Sequence, residues 1–591
     1  MKKTSKTLAL LLALCLCLSL GAFAASGEAS GDVTVMSMNA DAAASGTAWT
    51  MTEDGLQSAD VDGVEIVSGE IGATETDGAE INITAFSVNG FKVTGGEYTI
   101  RNTTVNKTVT GPIDANAAGG YIAGVTNGRL VIDNCTFINA GKGGRNGNYT
   151  VDCEASGEMV VINSDIIQTG FTGDPEGYTA AITDPPSNAG LLISGYARAN
   201  MSVGQSKTYY YGSYVETEGW AAMSTDSAQS GFEFYSYDSV GKALYGGYGT
   251  YADTSCVDWF YGSVLSAAEV GAIISNNGEI HMANGADATE DALVYLPEGY
   301  ENTADYTARG GRSVVEAGRN DFQIHSPDMM GGGASSEFTA ILDLAGTDLV
   351  TSEDLDAEAT LTDWYADYGP AYGEYVDFLK GANILVKSTS ADITLTDVTT
   401  ESSSGVLLLT ALNSDSMSRY ALADDDMTGK GTHMTVSDSE VSGDVLAYDY
   451  QRSCLVTLEN ATWTGAFRKA DKAAWDAMWS DECKADANCV WILDTDKYYD
   501  GADSVQGLVV GEGAVWNVSG ESHLDLLTIA DGAVINGTIT VDGEPIDGEA
   551  GVYEGDIVVM PAAGGSDKLS LTISVDPDSA IGQLILAVLG K

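Results

Sequence analysis

Basic residues are scarce in this 591-residue chain: 27 Lys and Arg stand against 85 Asp and Glu, a formal charge of −58. Nucleic acid and anionic membranes are held by clustered Lys and Arg, so neither is expected as a partner. Cysteine is thin as well. Once an N-terminal leader is set aside, only Cys135, Cys153, Cys256, Cys454, Cys483 and Cys489 remain, too few for a disulfide scaffold. No C-x-x-C spacing and no Cys/His cluster supports zinc. Long apolar runs are missing: Leu8–Leu20 and Ile581–Leu589 are both too short to span a bilayer, so no transmembrane segment is expected in the mature chain. Motifs of linear chemistry are missing too, among them the Gly-x-Ser-x-Gly elbow, the phosphate loop, the dinucleotide fingerprint and the EF-hand loop.

What is present begins with Met-Lys-Lys-Thr-Ser-Lys, an apolar core and Ala22-Phe23-Ala24. A basic start, a short apolar run and an A-x-A site predict a secretory signal peptide over residues 1–24 and a secreted or cell-surface protein. With 44% hydrophobic residues and 70 glycines, the mature chain is no disordered polyanion. Its Gly, Asp, Asn, Ser and Thr content predicts a β-rich fold with many tight turns. The acidic exterior suits solubility; beyond loose Ca²⁺ binding it calls for no cofactor.

The organising pattern is the stretch Gly128–Asn139. Leu130 and Ile132 alternate as in a strand, Asn134 follows, and the next apolar residue is Phe137. The template returns around Asn102, Asn163, Asp438 and Asn460, and more loosely at Asp397 with Thr400 in the last apolar position. A two-residue bend between parallel strands needs a left-handed backbone residue, which Asn and Asp tolerate best after Gly. The spacing is uneven, 32 residues from Asn102 to Asn134 but 22 from Asp438 to Asn460. Strands of constant length with one variable loop per turn fit a right-handed parallel β-helix, an all-β solenoid, better than a propeller. Stacked corner Asn side chains are expected to bond along the ladder.

The expected organisation is a flexible leader and N-terminal cap over 25–75, a parallel β-helix over 76–545, and a C-terminal tail or cap over 546–591. Ala-rich residues 467–482, with Trp475 and Trp479 four apart, predict a short helical insertion closed near 489. Cys483 and Cys489 enclose five residues and are the best candidate disulfide pair; Cys135 and Cys153 are a second if their rungs stack. Residues 196–261 are rich in tyrosine, from Tyr209-Tyr210-Tyr211 to Tyr235, Tyr237, Tyr245, Tyr248, Tyr251 and Tyr261. Aromatic stacking between rungs accounts for them; if the rings face outward, they make a carbohydrate-contacting face.

Trp516-Asn517-Val518-Ser519-Gly520, Ser522, Leu524, Leu527 and the turn Gly532-Ala533-Val534-Ile535 resemble the closing rungs of secreted bacterial parallel β-helix proteins of the pectate-lyase-like superfold, autotransporter passengers and adhesins included. After these rungs the chain runs about fifty residues, short of the outer-membrane barrel that an autotransporter resemblance implies, and it has no Leu-Pro-x-Thr-Gly sorting motif. The same superfold houses polysaccharide lyases and glycoside hydrolases, which the resemblance makes the alternative. Their signals Asn-Thr-Asp, Gly-His-Gly and Arg-Ile-Lys are absent, and Asp424-Asp425-Asp426 beside Lys430 reads as a solvated charge run. His281, His325, His433 and His523 each stand alone in a strand or corner pattern. The sequence therefore predicts a non-catalytic protein that displays loops to glycans or to host or cell-surface proteins. A polysaccharide-degrading enzyme with carboxylates drawn from separate rungs, and a structural surface-layer component, are the alternatives.

Overall fold

A computed structural model describes residues 45–85, 87–108, 120–140, 149–169, 198–217, 221–224, 232–243, 248–252, 256–267, 270–275, 279–283, 313–317, 382–387, 390–402, 405–411, 431–449, 452–469 and 504–562. These residues are all-β, in a 13-stranded and a 28-stranded sheet that are mostly parallel. No helix occurs among them.

The Gly128–Asn139 stretch shows how they are joined. Its first strand, Arg129–Asp133, pairs in parallel with Glu97–Arg101 before it and Glu158–Ile162 after it. Its second, Thr136–Ala140, lies between Thr104–Thr108 and Asp165–Gln168. The strand that precedes both, Ala123–Thr126, lies between Val88–Val93 and Tyr149–Glu154. Each strand thus meets the strands three places away in chain order, which makes three ladders. The first ladder is the 13-stranded sheet. The second and third share the larger sheet, because Glu75–Ile83 pairs with both Glu97–Arg101 and Thr104–Thr108.

Alternation places one set of side chains in a single apolar core that runs from Ala48 to Val559. Leu130, Ile132 and Phe137 are fully buried in it, as the pattern predicts. Trp463 and Trp516 stack within it at 5.3 Å, and their indole N–H groups donate to the carbonyls of Gly443 and Gly465. A Cβ on Gly465 would lie 2.2 Å from the Gly443 oxygen, so only glycine fits there.

The corners between the second and third ladders carry the predicted residues. Asn102, Asn134, Asn163, Asp397, Asp438 and Asn460 all have φ between 48° and 54°. Their amides extend the ladder, as in Asn134 N–H to the Ile162 carbonyl at 2.9 Å. Asn134 donates to Asn102 at 2.7 Å and Asn460 to Asp438 at 2.6 Å, so the expected side-chain column is present. The tyrosine-rich region keeps the corner with Gly212, Asp238 and Gly262 in the same left-handed conformation.

A second column beside the corner was not evident from the pattern. Ser164, Ser213, Ser239 and Ser263 each follow a corner residue and are buried. Each hydroxyl donates to its own carbonyl two residues back. Each also accepts the N–H of the equivalent residue in the preceding unit, Cys135 for Ser164 and then each serine for the next, at 3.0–3.3 Å. The bend is thereby satisfied without water.

Antiparallel strands stand at both ends. Val64–Ile71, within the stretch read as leader and cap, pairs with Glu75–Ile83, which runs beyond it, and Gly46–Thr52 in the same stretch is a strand parallel to Val88–Val93. Gly551–Pro561 pairs with both Ser522–Ile529 and Val534–Val541. Two expectations are corrected. Phe467–Lys469, the start of the expected helix, is a strand of the first ladder parallel to Val445–Ala447; the rest of the insertion, with Trp475, Trp479, Cys483 and Cys489, lies outside the described residues. Cys135 and Cys153 are both free thiols. Cys135 sits at a corner with Sγ against the Ile100 carbonyl, whereas Cys153 is in the first ladder with Sγ toward the Lys207 carbonyl.

Candidate functional site

On the second ladder, the face opposite the core is unusually aromatic between residues 207 and 283. Tyr210, Phe234 and Phe260 point into the main core. Their strand neighbours must therefore point the other way, and Tyr209, Tyr211, Tyr237 and Tyr261 form a separate apolar cluster with Val131, Val160 and Ile162. Register aligns Glu233, Tyr235 and Tyr237 with Val257, Trp259 and Tyr261, and these with Glu279, His281 and Ala283. Trp259 is the centre of this three-by-three grid.

The rings pack in columns. Tyr209 stacks on Tyr235 at 4.9 Å, and Tyr211, Tyr237 and Tyr261 follow one another at 4.8 and 5.2 Å. Trp259 stacks on His281 at 4.2 Å and lies 6.2 Å from Tyr261. Exposure is graded across the grid. Tyr237 and Tyr261, nearest the corner, are buried, while Tyr235, Trp259, His281 and the flanking Glu233 and Glu279 are half-buried. Burial pushes the Tyr237 and Tyr261 phenols above their ordinary range, so they stay neutral.

Polar groups edge the open side. Glu233 accepts from Tyr235 at 2.7 Å and pairs with Lys207 at 3.0 Å. His281 lies 3.5 Å from Glu279 and 3.1 Å from the Thr394 hydroxyl. His433 lies 3.4 Å from Asp392, which is in register between it and Glu279. The histidines that the sequence left isolated are thus not equivalent: the ladder brings His281 and His433 to one face. His523 is elsewhere, 3.2 Å from Glu521. His325, Tyr245 and Asp424–Asp426 lie outside the described residues. Tyr214 is in the third ladder, and Tyr248 and Tyr251 are in the first, so the tyrosine-rich stretch is divided among all three.

The aromatic pattern was visible, but not which rings face outward. Three consecutive tyrosines hide the alternation, and only the register with Phe234 and Phe260 reveals it. Two buried ionisable groups also escaped the sequence. Asp258 points into the core, accepts from Thr250 at 3.1 Å, and is pushed by burial to about 7. Lys107 is fully buried, donates to the Gly120 carbonyl, and is lowered by burial to about 7.

Among the described residues no three His, Cys, Asp or Glu are grouped to hold a metal ion, and no helix is long and apolar enough to cross a membrane. No family model, curated protein or solved structure matches the chain.

Proposed function

We propose that this chain is a secreted, right-handed parallel β-helix that acts by contact, with its glycan-binding surface on the outward face around Trp259. Pairing of strands with those three places on, through the length between the two antiparallel ends, supports the coil, and parallel crossovers favour the right hand. The leader pattern of residues 1–24 supports secretion. The observation that carries the glycan reading is the half-buried row Tyr235, Trp259 and His281 bordered by Glu233 and Glu279. Flat rings cover the apolar C–H face of a sugar, while carboxylate and imidazole groups at the edge take its hydroxyls.

Binding of the mature chain to a panel of oligosaccharides tests this, with Trp259→Ala beside it. A loss of at least tenfold in affinity in the variant is expected; a panel with no binder would refute the reading. The same face supports a second reading. Glu233 and Glu279 stand two strand spacings apart on one column, about 9.5 Å at the backbone, and two facing carboxylates are what a glycoside hydrolase requires. Glu233 is already held by Lys207 and Tyr235, which favours contact over turnover. Release of new reducing ends, abolished by Glu279→Gln, would reverse that preference.

A further inference from the structure

We propose that the Trp259 face selects glycans bearing free amino groups, protonated amino sugars, over neutral or acidic ones. This rests on the glycan-contacting reading and adds the ligand's charge to it.

The argument comes from one column of the second ladder. In register order its outward residues are Glu97, Arg129, Glu158, Lys207 and Glu233, alternating in sign at every step. Arg129 lies 2.9 Å from Glu158 and 3.8 Å from Glu97, and Lys207 lies 3.0 Å from Glu233. Each carboxylate here has a neighbouring cation. The column then passes Val257, and Glu279 and Asp392 follow as direct cross-strand neighbours. Like charges directly opposite one another destabilise a sheet. Among the described residues neither has a Lys or Arg within ion-pair distance; they meet only His281 and His433, at 3.5 and 3.4 Å.

Of these two carboxylates without a Lys or Arg partner, Glu279 adjoins the aromatic platform and Asp392 lies one strand further on. Glu279 is two residues from His281, whose ring lies 4.2 Å from Trp259. A sugar lying on Trp259 presents its ring substituents to that edge. An ammonium substituent there supplies the positive charge that Arg129 and Lys207 supply higher in the column. It is attracted by the carboxylates and by the indole face together. A uronate would bring a third carboxylate to the same place. The charge of −58 acts in the same direction at long range, raising the local concentration of polycations.

The test uses the mature full-length chain and equal-length oligomers of glucosamine, N-acetylglucosamine, glucose and galacturonate, measured by calorimetry at low and high salt. Glucosamine oligomers are expected to bind at least tenfold tighter than glucose oligomers, with the advantage shrinking as salt rises. Trp259→Ala should weaken both. The near-isosteric Asp392→Asn should reduce the advantage and leave neutral-sugar binding in place, and Glu279→Gln should cost glucosamine oligomers more than glucose oligomers. Equal affinity for glucosamine and glucose oligomers would overturn the selectivity while sparing the glycan reading; no binding to any oligomer would overturn both. Glucosamine binding that survives both variants, or that an oligolysine peptide matches in each of them, would mean unspecific attraction to a polyanion and would also overturn it.

Discussion

Replacing Asp258 by Asn should make the protein more stable in mild base and less stable in acid. The carboxyl is fully buried on the core side of Val257–Tyr261, in register between Phe234 and Ile280. One oxygen accepts from Thr250; the other has no partner among the described residues. Burial raises the group from 3.8 to about 7, so the folded chain keeps a proton that the unfolded chain has already released. Stability from that retained proton is complete below 3.8 and is lost as pH rises to about 7 and beyond. At about 1.4 kcal/mol per decade, the ionised carboxylate costs the folded state about 4 kcal/mol above neutrality. Asparagine removes that charge but turns an amide N–H₂ toward the unpartnered side, a pH-independent cost of about 1–3 kcal/mol. Asp258→Asn should therefore lose about 1–3 kcal/mol at pH 4 and gain about 1–3 kcal/mol at pH 8.5. Urea unfolding followed by tryptophan fluorescence at both pH values measures the difference. A variant whose stability relative to wild type is the same at pH 4 and 8.5 would refute the reasoning, whatever its sign.

Lys107 should show the opposite slope. Its folded value of about 7 lies below the ordinary 10.5, so stability is lost as pH falls toward and through 7; Lys107→Met should gain up to about 5 kcal/mol at pH 6, less about 1–3 for the orphaned Gly120 carbonyl, and progressively less toward pH 10 in the same urea assay. At the Asn134 corner, where φ is 52°, Asn134→Val should cost about 1–2 kcal/mol in backbone strain, whereas Asn134→Gly should lose only the exposed bond to Asn102; thermal unfolding of the two variants separates strain from hydrogen bonding. Burial pushes the Cys135, Cys153 and Cys454 thiols up to about 12, so iodoacetamide at pH 8 should leave all three unmodified in the native chain and label them after unfolding, as read by peptide mass spectrometry.

Backbone demands were the part of this molecule most legible in its sequence. A left-handed corner admits few residue types, so Asn102, Asn134, Asn163, Asp397, Asp438 and Asn460 announce themselves, and each has the positive φ that the template requires. The template weakened where Gly212 and Gly262 take the same role, because glycine is common enough in the chain to carry little signal by itself. Sheet membership was harder to read. Phe467–Lys469 begins an Ala-rich, helix-like stretch, yet pairing with Val445–Ala447 overrides local propensity. The fate of Cys135 and Cys153 likewise depends on Cys135 lying at a corner and Cys153 in a strand of the first ladder, which spacing along the chain does not fix. The candidate site was half legible. Tyrosine enrichment pointed to the region, but the side of the sheet on which each ring lies, and the meeting of His281 with Trp259 and of Asp392 with both Glu279 and His433, come from register between strands far apart in sequence.

That dependence on register explains why a chain of this kind can place a site where no motif exists. A parallel in-register ladder sets each outward residue beside its counterparts in the preceding and following units, so every column is a short sequence of its own, written across the chain. Where a column repeats one chemistry that packs with itself, as Tyr211, Tyr237 and Tyr261 do, it contributes to stability and to little else. Where it alternates in sign, as from Glu97 to Glu233, it neutralises itself. The informative place is the interruption. After Val257 the alternation stops and two carboxylates adjoin, while the neighbouring column passes from half-buried Trp259 and His281 to Thr394. A purely structural column would have continued with a basic residue at Glu279 or Asp392, at no cost to the fold, since Lys207 and Arg129 occupy equivalent positions. Completing the column from outside, with a cation carried on a flat ligand, is the arrangement that satisfies both the charge and the rings.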